Sequence, residues 1–190
     1  MKTSELLKIS KNELYGNIIS FPTDTVNGVG ALIDDFKGIQ KIYNLKHRNP
    51  NKPIAVLAPN VESILPFIEV PSIEIESIMK KYWPGALTII FKKNKEINLE
   101  ITKNLDTIAF RIPNSKIALE ILNHFGPMAT TSVNLSGSEP LNSYQLIYDN
   151  FHDQIDYLIE EEESKSGISS TIIDATTYPY KVIRQGDIKL

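Results

Sequence analysis

The chain contains no cysteine, which excludes disulfides, thiol catalysis and thiolate-held metals and fits a cytoplasmic protein. No apolar run approaches the roughly 20 residues of a membrane span, and no apolar segment behind Met1-Lys2-Thr3-Ser4-Glu5 reads as a secretory signal. A soluble, cytoplasmic chain without a membrane partner is therefore expected. Also lacking are the G-x-x-x-x-G-K-S/T phosphate loop, the G-x-G-x-x-G fingerprint, the G-x-S-x-G elbow and the H-E-x-x-H helix, so the chemistries those motifs carry are unsupported. His47, His124 and His152 are scattered and read as surface or packing residues, so no metal site is expected. Arginine is scarce: of 20 basic residues only Arg48, Arg111 and Arg184 are arginine. A chain that covers its surface with lysine can keep arginine where a planar, bidentate donor must meet carboxylate or phosphate.

What is present suits one domain over 1–190, long enough for a single core. The net charge of −3 and pI ≈ 5.7 argue against a general nucleic-acid coat, while leaving room for a local basic patch. Periodicity predicts a first helix over about Ser4 to Leu14 and a strand near Ile18 to Phe21. The stretch Ser20-Phe21-Pro22-Thr23-Asp24-Thr25-Val26-Asn27-Gly28-Val29-Gly30-Ala31 then reads as a strand-to-helix loop. Its glycines would permit positive φ or close approach to the backbone, and a helix capped by Asp34 or Asp35 would follow. Such a loop fits a small polar ligand or a bare turn.

Lys46-His47-Arg48-Asn49-Pro50-Asn51-Lys52-Pro53 is a broken, basic loop, either a solvated cluster or part of a site. A buried strand at 54–58, helical pieces at 61–67 and 73–82, and a strand at 87–91 follow. The segment 92–104 is a polar excursion. Thr107 to Pro113 reads as a strand with Thr107, Ala109 and Arg111 on one face, and the arginine needs an anionic partner, a protein carboxylate or a ligand. After a helix at 115–125, Met128 to Gly137 is a strand emptying into a hydroxyl-rich loop. A helix at 143–151, a strand at 157–159, a solvated acidic connection at Glu160 to Glu163, and strands before Asp174 and Gly186 complete the chain. Alternating strands and helices indicate an α/β sheet with ligands at strand ends. Cations, hydroxyls and glycines without a nucleophile suit binding and aligning anionic substrates for phosphoryl or nucleotidyl transfer.

Phe21-Pro22-Thr23-Asp24-Thr25-Val26-Asn27-Gly28-Val29-Gly30, Lys46-x-Arg48, Lys52-Pro53, Pro84-Gly85-Ala86-Leu87-Thr88, Arg111-Ile112-Pro113, Thr131 to Gly137, Ser170-Thr171-Ile172-Ile173-Asp174 and Ile183-Arg184-Gln185-Gly186 occur in one order. In that order the sequence resembles the YrdC-like threonylcarbamoyl-AMP synthases, over about Ile18 to Gly186 and in their single-domain form. The resemblance implies a twisted, open mixed α/β sheet with flanking helices and a large concave cavity. It implies formation of threonylcarbamoyl-AMP and pyrophosphate from L-threonine, bicarbonate or CO₂ and ATP with Mg²⁺, toward the threonylcarbamoyladenosine of tRNA, with tRNA or tRNA-modification proteins as partners.

By motif position, Lys46, Arg48, Ser132 and Asn134 resemble the family's triphosphate and carbamate tetrad, and Thr107, Thr130 and Arg184 resemble further ATP contacts. Arg111, Thr23, Ser170, Lys52 and Asn27 fall at the threonine site, Asn27 where the family usually has tyrosine. Val133 replaces alanine, and Pro140 stands where relatives often offer a serine to ATP. Two other readings stand beside the synthase: an RNA- or tRNA-binding module using the same basic concavity, which the acidic pI opposes, and a carbamoyl-transfer domain like those of hydrogenase maturation, which the lack of cysteine opposes.

Overall fold

The computed structural model describes residues 1–97 and 100–190. Two short helices, α1 (Thr3–Leu6) and α2 (Lys11–Leu14), precede β1 (Ile19–Phe21) and β2 (Gly28–Leu32). Then come α3 (Phe36–Leu45), β3 (Val56–Leu57), α4 (Ile73–Tyr82), β4 (Leu87–Lys92), β5 (Thr107–Arg111), α5 (Lys116–Phe125), β6 (Met128–Ser132), α6 (Tyr144–Phe151), β7 (Tyr157–Leu158), β8 (Thr171–Asp174) and β9 (Lys181–Arg184). The strands form one mixed sheet in the order β7-β1-β2-β6-β3-β5-β4-β8-β9, the open α/β sheet with flanking helices that was expected.

Several local expectations change. The first helix is two turns, because Ser10 is extended and starts a capping box of its own with Glu13. The loop 22–27 joins two antiparallel strands, with Phe21 opposite Gly28 and Ile19 opposite Gly30, so it is a hairpin connection and not a strand-to-helix turn. Gly28 and Gly30 are therefore strand residues. A Cβ at Gly28 would lie 2.8 Å from Cγ2 of Thr130, and one at Gly30 2.9 Å from its Oγ1. Glycine is required because β6 presses on β2, and neither residue uses positive φ. Of the strand expected at 54–58 only Val56–Leu57 is strand, and the helix at 61–67 shrinks to a 3₁₀ turn at Leu65–Phe67. In the excursion 92–104, Glu100–Thr102 form a 3₁₀ turn, and residues 98 and 99 lie outside the described residues.

The two-residue period along the central strands sorts core from site. Ile89 and Phe91 of β4, Ile108 and Phe110 of β5, Ala129 of β6 and Ile173 of β8 belong to the large core shared with Ile39 and Ile42 of α3 and Ile75 and Met79 of α4. The alternate residues Thr88 and Ile90, Ala109 and Arg111, Thr130 and Ile172 line a cavity. Toward β1, Leu32 and Met128 join a second cluster with Ile121, Leu122 and Phe125 of α5. Two residues beyond Met128 its face reaches Thr130, which lines the cavity.

Candidate active site

The cavity has a volume of about 910 Å³ and collects Lys46, Arg48, Lys52, Arg111 and Arg184 at its wall. Among the described residues no Asp or Glu lines it. In a chain with net charge −3, this concentration of cations, of which Arg111 alone is shown paired with a carboxylate, that of Asp24 behind the lining, makes the cavity an anion site, because low-dielectric walls focus the field of like charges. Thr23, Thr107, Thr130, Ser132, Asn134 and Ser170 share the same wall.

Lys46 caps the C-terminal end of α3. His47 follows with φ 47. The Arg48 N–H donates to the Tyr43 carbonyl and the His47 N–H to that of Asn44, a Schellman closure that swings the chain off the helix axis. This puts the side chains of Lys46 and Arg48 on the cavity. Lys46 is 2 % exposed. It donates to Oδ1 and the carbonyl of Asn134 at 2.8 and 2.9 Å and to the Ser132 carbonyl. Burial, with Arg48 and Lys52 nearby, lowers its pKa to about 8. Oγ of Ser132 donates to the same Oδ1 at 2.6 Å, and Nδ2 of Asn134 donates to the carbonyls of Leu135 and Ser138. The four residues of the expected tetrad are thus brought together. Arg48 is held by the carbonyls of Lys52 and Pro53, and burial lowers its pKa as well.

Arg111, at the end of β5, is 6 % exposed. Its Nε donates to the Gly85 carbonyl at 3.0 Å, Nη1 to Oγ1 of Thr25 at 2.7 Å, and Nη2 to the Asp24 carboxylate. Burial lowers its pKa while Asp24 opposes that shift. The protein carboxylate and the cavity are therefore both partners of this arginine: Asp24 braces it from outside the lining, and its guanidinium forms part of the wall. Thr23 accepts from Thr25 N–H and donates to the Val26 carbonyl at 2.6 Å, closing loop 22–27 on itself. Arg184 holds the Ser170 carbonyl through Nε and Nη2, and Ser170 Oγ lies 2.8 Å from Thr88 Oγ1.

Asn27 is not brought to this wall. Its Oδ1 accepts from Lys165 at 2.7 Å and its N–H donates to Oδ1 of Asn142 at 3.3 Å, so its side chain is engaged away from the lining. Thr25, Thr88, Ile101, Ile172 and Ile183 also line the cavity and were not among the expected site residues. Thr88 and Ile172 were findable from strand alternation, while Ile101 sits on a turn with no sequence signal. The acidic run is not a solvated connection: Glu161 accepts from the N–H and Oγ1 of Thr3, and Glu163 from the Ile117 N–H and Ser115.

Among the described residues no group of three His, Asp or Glu could hold a metal, and no helix is long and apolar enough to cross a membrane. The hydroxyl-rich, carboxylate-free lining suits a divalent ion that arrives already carried by phosphate oxygens.

Residues 14–186 match the protein family Sua5_yciO_yrdC, described as telomere recombination. The threonylcarbamoyl-AMP synthase of Pyrococcus abyssi is 33% identical over 177 residues, which is 92% of this chain and 52% of that protein, so the chain spans about half the length of that relative. A putative threonylcarbamoyl-AMP synthase of Methanocaldococcus jannaschii is 34% identical over 189 residues, covering 100% of this chain and 88% of that protein. The crystal structure of P. abyssi Sua5 complexed with L-threonine superposes with a TM-score of 0.88 at 30% identity, over 97% of this chain and 54% of that one. With the family match running from the last residue of α2 to just past β9, the chain belongs to the Sua5/YciO/YrdC family.

Proposed function

We propose that this protein is an L-threonylcarbamoyladenylate synthase that takes L-threonine, bicarbonate or CO₂ and MgATP to threonylcarbamoyl-AMP and pyrophosphate. The observation that carries this reading is the cavity wall, where five cations meet hydroxyls and amides and, among the described residues, no carboxylate. The family membership and the L-threonine bound by P. abyssi Sua5 support it.

In this reading Lys46, Arg48, Ser132 and Asn134 take the triphosphate and orient the carbamate. Thr107, Thr130 and Arg184 add contacts to the nucleotide, and the isoleucines of the lining suit its base. Arg111 receives the threonine carboxylate, with Thr23, Ser170 and Lys52 around the amino acid, and Asn27 acts only through the position of its loop. The threonine amine attacks CO₂ and loses a proton to give a carbamate. A carbamate oxygen then attacks the α-phosphorus of ATP, and the bond from that phosphorus to the bridging oxygen breaks as pyrophosphate leaves. Charge on the leaving group is met by fixed cations that need no reorganisation. The divalent ion, bound with ATP, adds further neutralisation there. A cytoplasmic setting and a partner that passes the adenylate product to tRNA follow from the same reading.

Pyrophosphate release with ATP, Mg²⁺, bicarbonate and each amino acid in turn tests it. Threonine-dependent release above the amino-acid-free rate is expected, and release that ignores threonine would overturn the assignment.

A further inference from the structure

Residues 160–168 do not line the cavity, yet they are bonded to three helix N-termini and to loop 22–27, whose Thr23 and Thr25 do line it. Glu161 takes the first N–H of α1, Glu163 an N–H in the first turn of α5, and Glu162 the first N–H of α6. Each carboxylate meets orphan amides at a positive helix end. The strap then reaches loop 22–27: Ser166 N–H donates to the Asp24 carbonyl at 3.0 Å and Gly167 N–H to the Thr25 carbonyl at 2.9 Å.

Lys165 is the joint between the two. Its ammonium donates to Glu162 Oε2 at 2.6 Å, Asn27 Oδ1 at 2.7 Å and the Asn142 carbonyl at 3.0 Å, and its side chain is 10% exposed. An ammonium has three donors, so Lys165 is saturated by protein acceptors, one of them a carboxylate. Lys46 is also met by three protein acceptors, but these are two carbonyls and an amide oxygen with no carboxylate among them, which leaves its charge for a ligand.

We propose that Lys165 is a positioning residue for the amino-acid half of the site. By holding Asn27 to the helix-anchored strap it sets the placement of loop 22–27, and with it Thr23, Thr25 and the Asp24 carboxylate that braces Arg111. The identity of the amino acid rests on the function proposed above, but the positioning role does not.

The test pairs a ligand-free measurement with a binding one. In Lys165→Met, amide exchange of residues 24–27 without ligand should speed up by about tenfold or more, the loss of a hydrogen bond to a charged group. L-threonine binding by calorimetry should weaken by a similar factor while ATP binding stays within about twofold. Asn27→Ala should reproduce the pattern, the double variant should add little to either single change, and Lys165→Arg should restore much of the loss. Unchanged loop exchange in a folded Lys165→Met protein, equal weakening of ATP and threonine, or additive single effects would each overturn the proposal. If Lys165→Met does not fold, Asn27→Ala carries the same exchange and binding readouts. A parent protein that binds no threonine would overturn the functional reading alone, with the ligand-free exchange still deciding the role of Lys165.

Discussion

Lys46 Nζ lies 2.8 Å from Oδ1 of Asn134, an amide where a buried ammonium would ordinarily meet a carboxylate. Among the described residues no carboxylate pairs with it, and its pKa falls to about 8 through burial and neighbouring cations. A triphosphate would favour the charged form and raise that pKa again. Binding then takes up a proton above pH 8. ATP affinity should be full below about pH 8 and fall as pH rises past it, by up to about tenfold per pH unit. Titration calorimetry between pH 7 and 9.5 checks this, and affinity flat across that span would contradict it. Stability without ligand runs the other way. Between about 8 and 10.5 the unfolded chain holds the extra proton, so the contribution of Lys46 rises with pH there.

Arg111→Lys should weaken threonine more than ATP. Lysine cannot keep the Gly85, Thr25 and Asp24 contacts together and still present a planar fork. Losing one charged hydrogen bond corresponds to about 1.5–3 kcal/mol, a factor of about 10 to 100 in threonine affinity. Equal losses for both ligands would assign Arg111 elsewhere.

Asp24→Asn removes the carboxylate from a pair whose side chains are 7% and 16% exposed. An arginine this buried is left without its counter-charge, which costs about 3 kcal/mol or more. Denaturant unfolding should show that loss in the midpoint with the slope unchanged. A loss below about 1 kcal/mol would mean that solvent reaches the pair.

His47→Gly should stabilise the protein by about 1 kcal/mol, since His47 holds φ 47 in the Schellman closure after α3 and glycine adopts that region without strain. Thermal melts read this directly. A drop in melting temperature would show that the imidazole contributes contacts outweighing the backbone strain.

Gly28→Ala should destabilise by about 1–3 kcal/mol, the usual cost of overpacking, because its new methyl would meet Thr130 at 2.8 Å. Thr130 lines the cavity, so ATP affinity should fall with stability. Loss of stability with nucleotide binding intact would separate Thr130 from the nucleotide.

Some of this was legible in the chain itself. The helix at 73–82 is found at those residues, since Ser72 caps it and Pro71 prevents an earlier start. β5 reads correctly because alternation puts Thr107, Ala109 and Arg111 on the cavity face and Phe110 in the core. β2 was not legible. Gly-Val-Gly-Ala-Leu lacks strand character, and the reason for its glycines is a threonine of a strand about a hundred residues later. The acidic run misleads for a similar reason. Its carboxylates find amides 158 and 46 residues away, where a local reading sees only solvated charge.

The sequence by itself determined which chemistry was available: scarce arginines in ligand-facing motifs, hydroxyls at strand ends and the ordered motifs of one family. Those are properties of residue type and spacing. Only the tertiary structure decided which side chains face the cavity and which brace it. Asn27 and Asp24 stand in the same motif as Thr23, yet Thr23 lines the site while Asn27 is taken by Lys165 and Asp24 by Arg111. The physical reason is that charge pairing and close contact act over ångströms in space, between residues far apart along the chain.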